Sequence, residues 1–233
     1  MYIDSTYIIL VLPAVIFAMW AGHRVNSTFA KYSSQFNARH ITGAQAARSV
    51  LDANGLHNVA IEKVSGNLTD HYDPKANVIR LSDSVYNSTS TAAIGVACHE
   101  AGHAVQYAQN YAPIKLRAAI IPVTNIGSRL AMPLILLGLV LAFMETFSYV
   151  FIYLGIACFG LSLVFQLVTL PVEFNASRRA MNAIADSELL TPEEQKGARK
   201  TLTAAALTYV AATALALAQL LRLISIFGRR RRD

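Results

Sequence analysis

Three runs of this chain are apolar over lengths that leave few alternatives to a membrane: Tyr7 to Trp20 (extendable to Ala21), Ile126 to Met144, and Tyr149 to Leu170. A helix crosses the hydrocarbon core with about 20 apolar residues, and a backbone in lipid must satisfy its own hydrogen bonds. A fourth run, Leu202 to Leu221, is rich in alanine and suits a helix packed against others better than one facing lipid. Only 15% of the 233 residues are charged and the mean hydropathy is +0.40, which excludes an ordinary soluble domain. The first run lacks the basic start of a signal peptide, since the chain begins MYIDS, and it is read as a retained anchor.

The expectation is a mainly α membrane protein, with about four transmembrane helices and a small α+β domain at the membrane surface. The spans divide the chain into an anchor (1–21), a polar segment (22–117), a transmembrane hairpin (118–170), a second polar segment (171–201), and a last helix with a basic tail (202–233). The hairpin is expected to turn at ETFS, Glu145 to Ser148, which returns the chain to the face it left. Both polar segments then share one face and are large enough together for one small domain. Cys98 and Cys158 make no disulfide framework and are read as small packing residues. A net charge of +6, without aromatics interleaved among the basic residues, excludes a nucleic-acid partner. Arg129, near the start of the second span, is expected to snorkel or to pair inside the bundle.

In the long polar segment, TGAQAARSVLDANGL has a threonine cap at Thr42 and a glycine stop at Gly55, and predicts a helix. NVAIEKVSG and NVIRLS predict short strands, the second after the turn signal DHYDPKA. STSTAAIGVACHEAGHAVQYAQN opens on hydroxyl caps and continues as a helix.

That last helix carries the chemistry. His99 and His103 stand four apart, so they lie one above the other on a helix face and can offer two imidazole nitrogens to one metal. Glu100, one residue on, sits beside that face, where a carboxylate can take a proton from a metal-activated water. Apart from Asp83, Glu100 is the only charged residue between Arg80 and Lys115. Burying such groups on an apolar helix without a partner is costly, which favours a metal over two ordinary histidines. A catalytic zinc takes three protein ligands and keeps one open position. The candidates for the third are His23, His40, His57, His71 and the acids. Among the acids, Glu173 follows Pro171 at the end of the third span, at the expected start of a helix, where a solvated N-terminal acid is an equally good reading.

HEAGH followed across a membrane hairpin by EFNASRRA resembles the membrane-bound gluzincin metallopeptidases, which include prenyl-protein endopeptidases and a bacterial heat-shock membrane protease. The segments GNLTDHYDP, CHEAGHAVQ and PVEFNASRRA are similar to those of the small bacterial YugP-type zinc metallopeptidases, over most of the chain. The resemblance implies a gluzincin-like catalytic domain with one Zn2+ per chain on His99, His103 and Glu173, and Glu100 as general base. It implies an endopeptidase of the bacterial cell membrane acting on peptides, either membrane proteins or unfolded ones. Ser177 stands where the wider group has an aspartate that orients a zinc histidine, so Ser177, Asn175 or an acid such as Asp73 must serve instead. NVIRLS resembles the edge strand that receives peptide, although a core strand fits as well. His71, Tyr72 and Arg178 are candidates to stabilise an oxyanion.

Two rivals are weighed against this. A site-2-type intramembrane protease takes its third ligand from Asp-Gly, a pair that occurs nowhere here. A non-catalytic scaffold with a structural zinc would use a fourth ligand, such as His71, and has no use for Glu100. For sidedness, Arg24, Lys31, Arg39, Lys115, Arg117, Arg178, Arg179, Lys196, Arg199 and Lys200 flank the spans on the face of the catalytic segments. The positive-inside rule therefore expects the active site to face the cytoplasm, against the terminal RRRRD, which falls on the other face if the last helix crosses.

Overall fold

The computed structural model describes residues 5–229; the MYIDS start, up to residue 4, and the tail arginines from 230 onward lie outside the described residues. A single π-helical turn, Tyr7–Val11, leads into α1 (Leu12–Ser33). Then follow α2 (Gly43–Ala53), β1 (Ala60–Val64), β2 (His71–Asp73), β3 (Val78–Ser82), α3 (Thr91–Ala108), α4 (Ala112–Val140), α5 (Glu145–Asp186) and α6 (Pro192–Arg229). Among the described residues four helices are long and apolar enough to cross a membrane: Tyr7–Ser33, Ala112–Val140, Glu145–Asp186 and Pro192–Gly228. The chain separates into two compact units, one of Met1–Trp20, Leu116–Leu170 and Thr208–Asp233, the other of Ala21–Lys115 and Pro171–Leu207.

Among the described residues the first unit is helical apart from the turn at 141–144. Its buried residues include Ile135, Ile152, Ile156 and Phe227. At Gly155 an added Cβ would lie 2.7 Å from the Ala131 carbonyl oxygen, so only glycine lets α4 and α5 come this close. The turn between α4 and α5 falls at 141–144, not at ETFS, whose residues open α5 instead. Ser148 then lies within α5, where its hydroxyl donates to the Gly138 carbonyl of α4 at 2.7 Å.

The second unit follows its sequence signals closely. Thr42 caps α2 by a reciprocal box with Gln45, and Ser90 caps α3 through Ala93 N–H. Thr191 and Glu194 exchange the same pair of bonds at the head of α6, with Pro192 in the first turn, where its missing N–H costs nothing. The sheet is ordered β1-β3-β2, with β1 parallel and β2 antiparallel to β3. NVIRLS is thus the central strand and not an edge. Its last amide, Ser82 N–H, lies beyond the reach of β2 and is taken by the Asp70 carboxylate at 2.8 Å. The segment read as a turn hides strand β2, and the turn itself is confined to 74–77. Ile79, Leu81, Ala47, Val50 and Leu51 pack with Ile94, Ala97, Cys98 and Ala101 of α3 into one core. Burial pushes the Cys98 thiol up to about 12, as befits a packing residue.

α5 runs unbroken through Pro171 to Asp186, so Glu173 sits inside a 42-residue helix and does not begin one. Proline removes one helical bond, a loss the neighbouring turns of a long helix absorb.

Candidate metal centre

α3 lies between α2 and the sheet on one side and the 171–207 parts of α5 and α6 on the other. Gly102, the glycine of HEAGH, allows this. A Cβ there would stand 2.9 Å from the Ala176 carbonyl oxygen of α5, so the two backbones are in direct apposition. Across that contact Glu173 meets both histidines. Its Oε2 lies 3.2 Å from His99 Nε2 and 3.6 Å from His103 Nε2. The three donor atoms fall within 4.8 Å of one another. A tetrahedral zinc about 2.0–2.1 Å from each donor spaces its donors about 3.3 Å apart, so the triad has the span such an ion requires. Two imidazoles and one carboxylate, with no fourth donor grouped with them among the described residues, leave a position for water.

The outward ring nitrogens are both held. Arg179 Nε, which can only donate, bonds Asn175 Oδ1 at 2.7 Å. That fixes the Asn175 atom as oxygen, so it is Gln106 Nε2 that meets it at 2.9 Å, with a second bond to the Val172 carbonyl at 2.9 Å. The Gln106 oxygen therefore faces His103 Nδ1, 3.0 Å away, and His103 Nδ1 must donate. Its Nε2 lone pair is left pointing toward Glu173. On the other ring, Ser177 Oγ lies 3.1 Å from His99 Nδ1. A hydroxyl can donate or accept, so Ser177 orients this ring without choosing its tautomer.

Glu100 is buried beside the triad, and its carboxylate accepts the backbone N–H of Tyr72. Burial pushes its carboxyl up to about 7, with the carboxylates of Glu173 and Asp70 adding to the rise while His99 and the Tyr72 amide oppose it. β2, hidden inside a turn signal, is thus the strand that touches the candidate base.

His99, Glu100, His103, Glu173 and Ser177 come together as the spacing and the resemblance required, and Asn175 joins through Gln106. The other sequence candidates lie elsewhere. His71 is exposed with Nδ1 on the Thr69 carbonyl, and the Tyr72 hydroxyl donates to Asn77. Asp73 pairs with Arg80 at 3.0 Å and His57 with Asp52 at 2.9 Å, while His23 and His40 are exposed. Arg178 is exposed on the flank of α5. Gln106 escaped the reading because a neutral amide carries no charge signal. Its place three residues after His103, as a polar side chain on an apolar helix face, was the available clue.

The chain matches the family described as "Putative neutral zinc metallopeptidase" over residues 7–228. It is 46% identical over 221 residues to "Putative membrane protease YugP" of Bacillus subtilis (strain 168), covering 95% of this chain and 96% of the relative. No solved structure matches it.

Proposed function

We propose that this chain, which belongs to that zinc metallopeptidase family, is a zinc-dependent endopeptidase of the bacterial membrane. The carrying observation is the convergence of His99, His103 and Glu173 with Glu100 one residue away. In this reading the two Nε2 atoms and the Glu173 carboxylate hold Zn2+. Zinc held there supplies a Lewis acid that activates water and polarises a peptide carbonyl.

Glu100 accepts the proton released as the water attacks and returns it to the departing amine. Its raised proton affinity suits a group that must take a proton and then give it up near neutrality. The Tyr72 amide fixes its orientation. Gln106 presets one ring and Ser177 holds the other, so the donors need little reorganisation when the metal binds. A structural-zinc scaffold is disfavoured because His71, the fourth ligand it called for, bonds its own loop. Arg178 retains an oxyanion role only if substrate binding carries it to the triad. Substrates are the peptide bonds of membrane or unfolded proteins. The active site faces the cytoplasm, in keeping with the basic residues that flank the spans. An impermeant thiol reagent on intact cells tests sidedness at Ser65→Cys, an exposed position, with Cys98 and Cys158 removed. Labelling without lysis would place the site outside.

The chemistry is tested with Glu100→Gln, whose amide cannot accept the proton. The variant should keep one zinc per chain and lose peptide hydrolysis by at least about a hundredfold. Full turnover with zinc bound would remove Glu100 from the role of base.

A further inference from the structure

Beside the metal centre, α5 and α6 part to leave an open cavity of about 340 Å³. Ser177, which holds His99, forms one of its edges. Met181 and Leu202 give it apolar lining, Asn182 adds an amide, and Arg178 of α5 and Arg199 of α6 both line it. No acid lines it. Both arginines are exposed, and among the described residues neither forms an ion pair. Other arginines of this unit are engaged: Arg48 with Asp52, Arg80 with Asp73, Arg179 with Asn175 and Gln109. Two unneutralised guanidinium groups lining one cavity together with apolar side chains define a site for a carboxylate.

Resting on the endopeptidase reading, we propose that this cavity is a specificity subsite that binds a substrate carboxylate, from an acidic side chain or from the peptide C-terminus. Arg178 and Arg199 grip the carboxylate, while Met181 and Leu202 pack on the stem that carries it. The site shares a wall with the metal centre, so the acidic residue lies within a few residues of the bond cleaved. The enzyme therefore selects peptides by charge, at a position separate from the catalytic groups.

The test uses full-length, zinc-loaded Glu100→Gln protein in neutral detergent, with fluorescent unstructured peptides that differ only by Glu or Gln at one position. Each is made with a free or an amidated C-terminus, and binding is read by anisotropy. One Glu position, or the free C-terminus, should bind about tenfold tighter than its neutral counterpart, as expected of charge-assisted bonds. Which of the two does so identifies the source of the carboxylate. The preference should vanish in Arg178→Ala/Arg199→Ala and survive in Arg178→Lys/Arg199→Lys, with zinc content the control for folding. Equal binding of the Glu and Gln peptides, or a preference intact in the double alanine variant, overturns the proposal. So does arginine-dependent binding of glycerol phosphate alone, which would make the cavity a lipid headgroup site. Turnover of the same peptides by the wild type tests the hydrolase separately. Peptides bound with the Glu preference yet left uncut would sink the endopeptidase and leave the subsite standing.

Discussion

The two histidines of this centre are four residues apart on one helix, yet their surroundings are unlike. His103 backs onto a buried glutamine in a network where each donor and acceptor is assigned: Arg179 fixes Asn175, Asn175 fixes Gln106, and Gln106 fixes the ring. His99 backs onto a single hydroxyl at the edge of an open cavity. One wall is rigid and chooses a tautomer, while the other is adaptable and next to the cavity. A metal needs only one preset imidazole to begin binding, and the second can adjust. The asymmetry places stiffness away from the cavity and compliance beside it.

The comparison can be broken at the residue both walls share. Glu173→Ala removes the only donor not carried by α3 and should abolish stoichiometric zinc, measured by metal analysis after desalting. Full occupancy at wild-type affinity would mean that the third ligand lies elsewhere. Gln106→Leu attacks the rigid wall alone. It strands the His103 Nδ1–H, frees that ring's tautomer and takes a donor from Asn175 and the Val172 carbonyl, so zinc should bind about 10–100-fold more weakly. The melting temperature should fall as well, for a loss on the order of 1–3 kcal/mol from buried groups left unpaired. Ser177→Ala, on the compliant wall, should cost less than about tenfold in zinc affinity and little stability. If Ser177→Ala proves the worse of the two, the asymmetry is wrong. Ser177→Asp supplies a carboxylate that raises ligand basicity, and zinc should then be retained to lower pH than in the wild type.

A separate effect concerns the metal-free protein. Folding raises the Glu100 carboxyl from its ordinary 4.5 to about 7. A raised carboxylate contributes stability that is intact below the unfolded value and is lost as pH climbs toward the folded one. Glu100→Gln has no such loss. Its melting temperature, measured with chelator, should gain on wild type as pH rises from about 4.5 to about 7 and hold the gain above that. A constant difference across this window would mean that the carboxylate is not buried in the metal-free state.

How legible was all this beforehand? The capped helices were plain, because Thr42, Ser90 and the glycine at Gly55 act within a few residues of themselves. The i, i+4 histidines were plain for the same reason. What failed were features set by distant partners. His71–Asp73 carries turn-forming neighbours on both sides, and only its pairing with β3 makes it a strand. Pro171 signals a helix end, but α5 continues through it, and Gln106 of α3 bonds the Val172 carbonyl just beyond. Glu173 was found by its motif, not by its helix position. Gln106 stayed hidden because its partners lie 66 and 69 residues away.

One contact decides how finely the metal seat is machined. At Gly102 the α3 backbone lies against the Ala176 carbonyl with no side chain between, so the gap between the histidine helix and the glutamate helix is set by main chain on main chain. Side chains can swing by an ångström at little cost, but two packed helices cannot. Metal-donor distances tolerate about 0.2 Å. A methyl group at Gly102, touching no donor, must wedge the helices apart and carry Glu173 away from both imidazoles together. The glycine of the motif is thus a spacer gauge, and the size of ion that fits is written in a residue that never touches it.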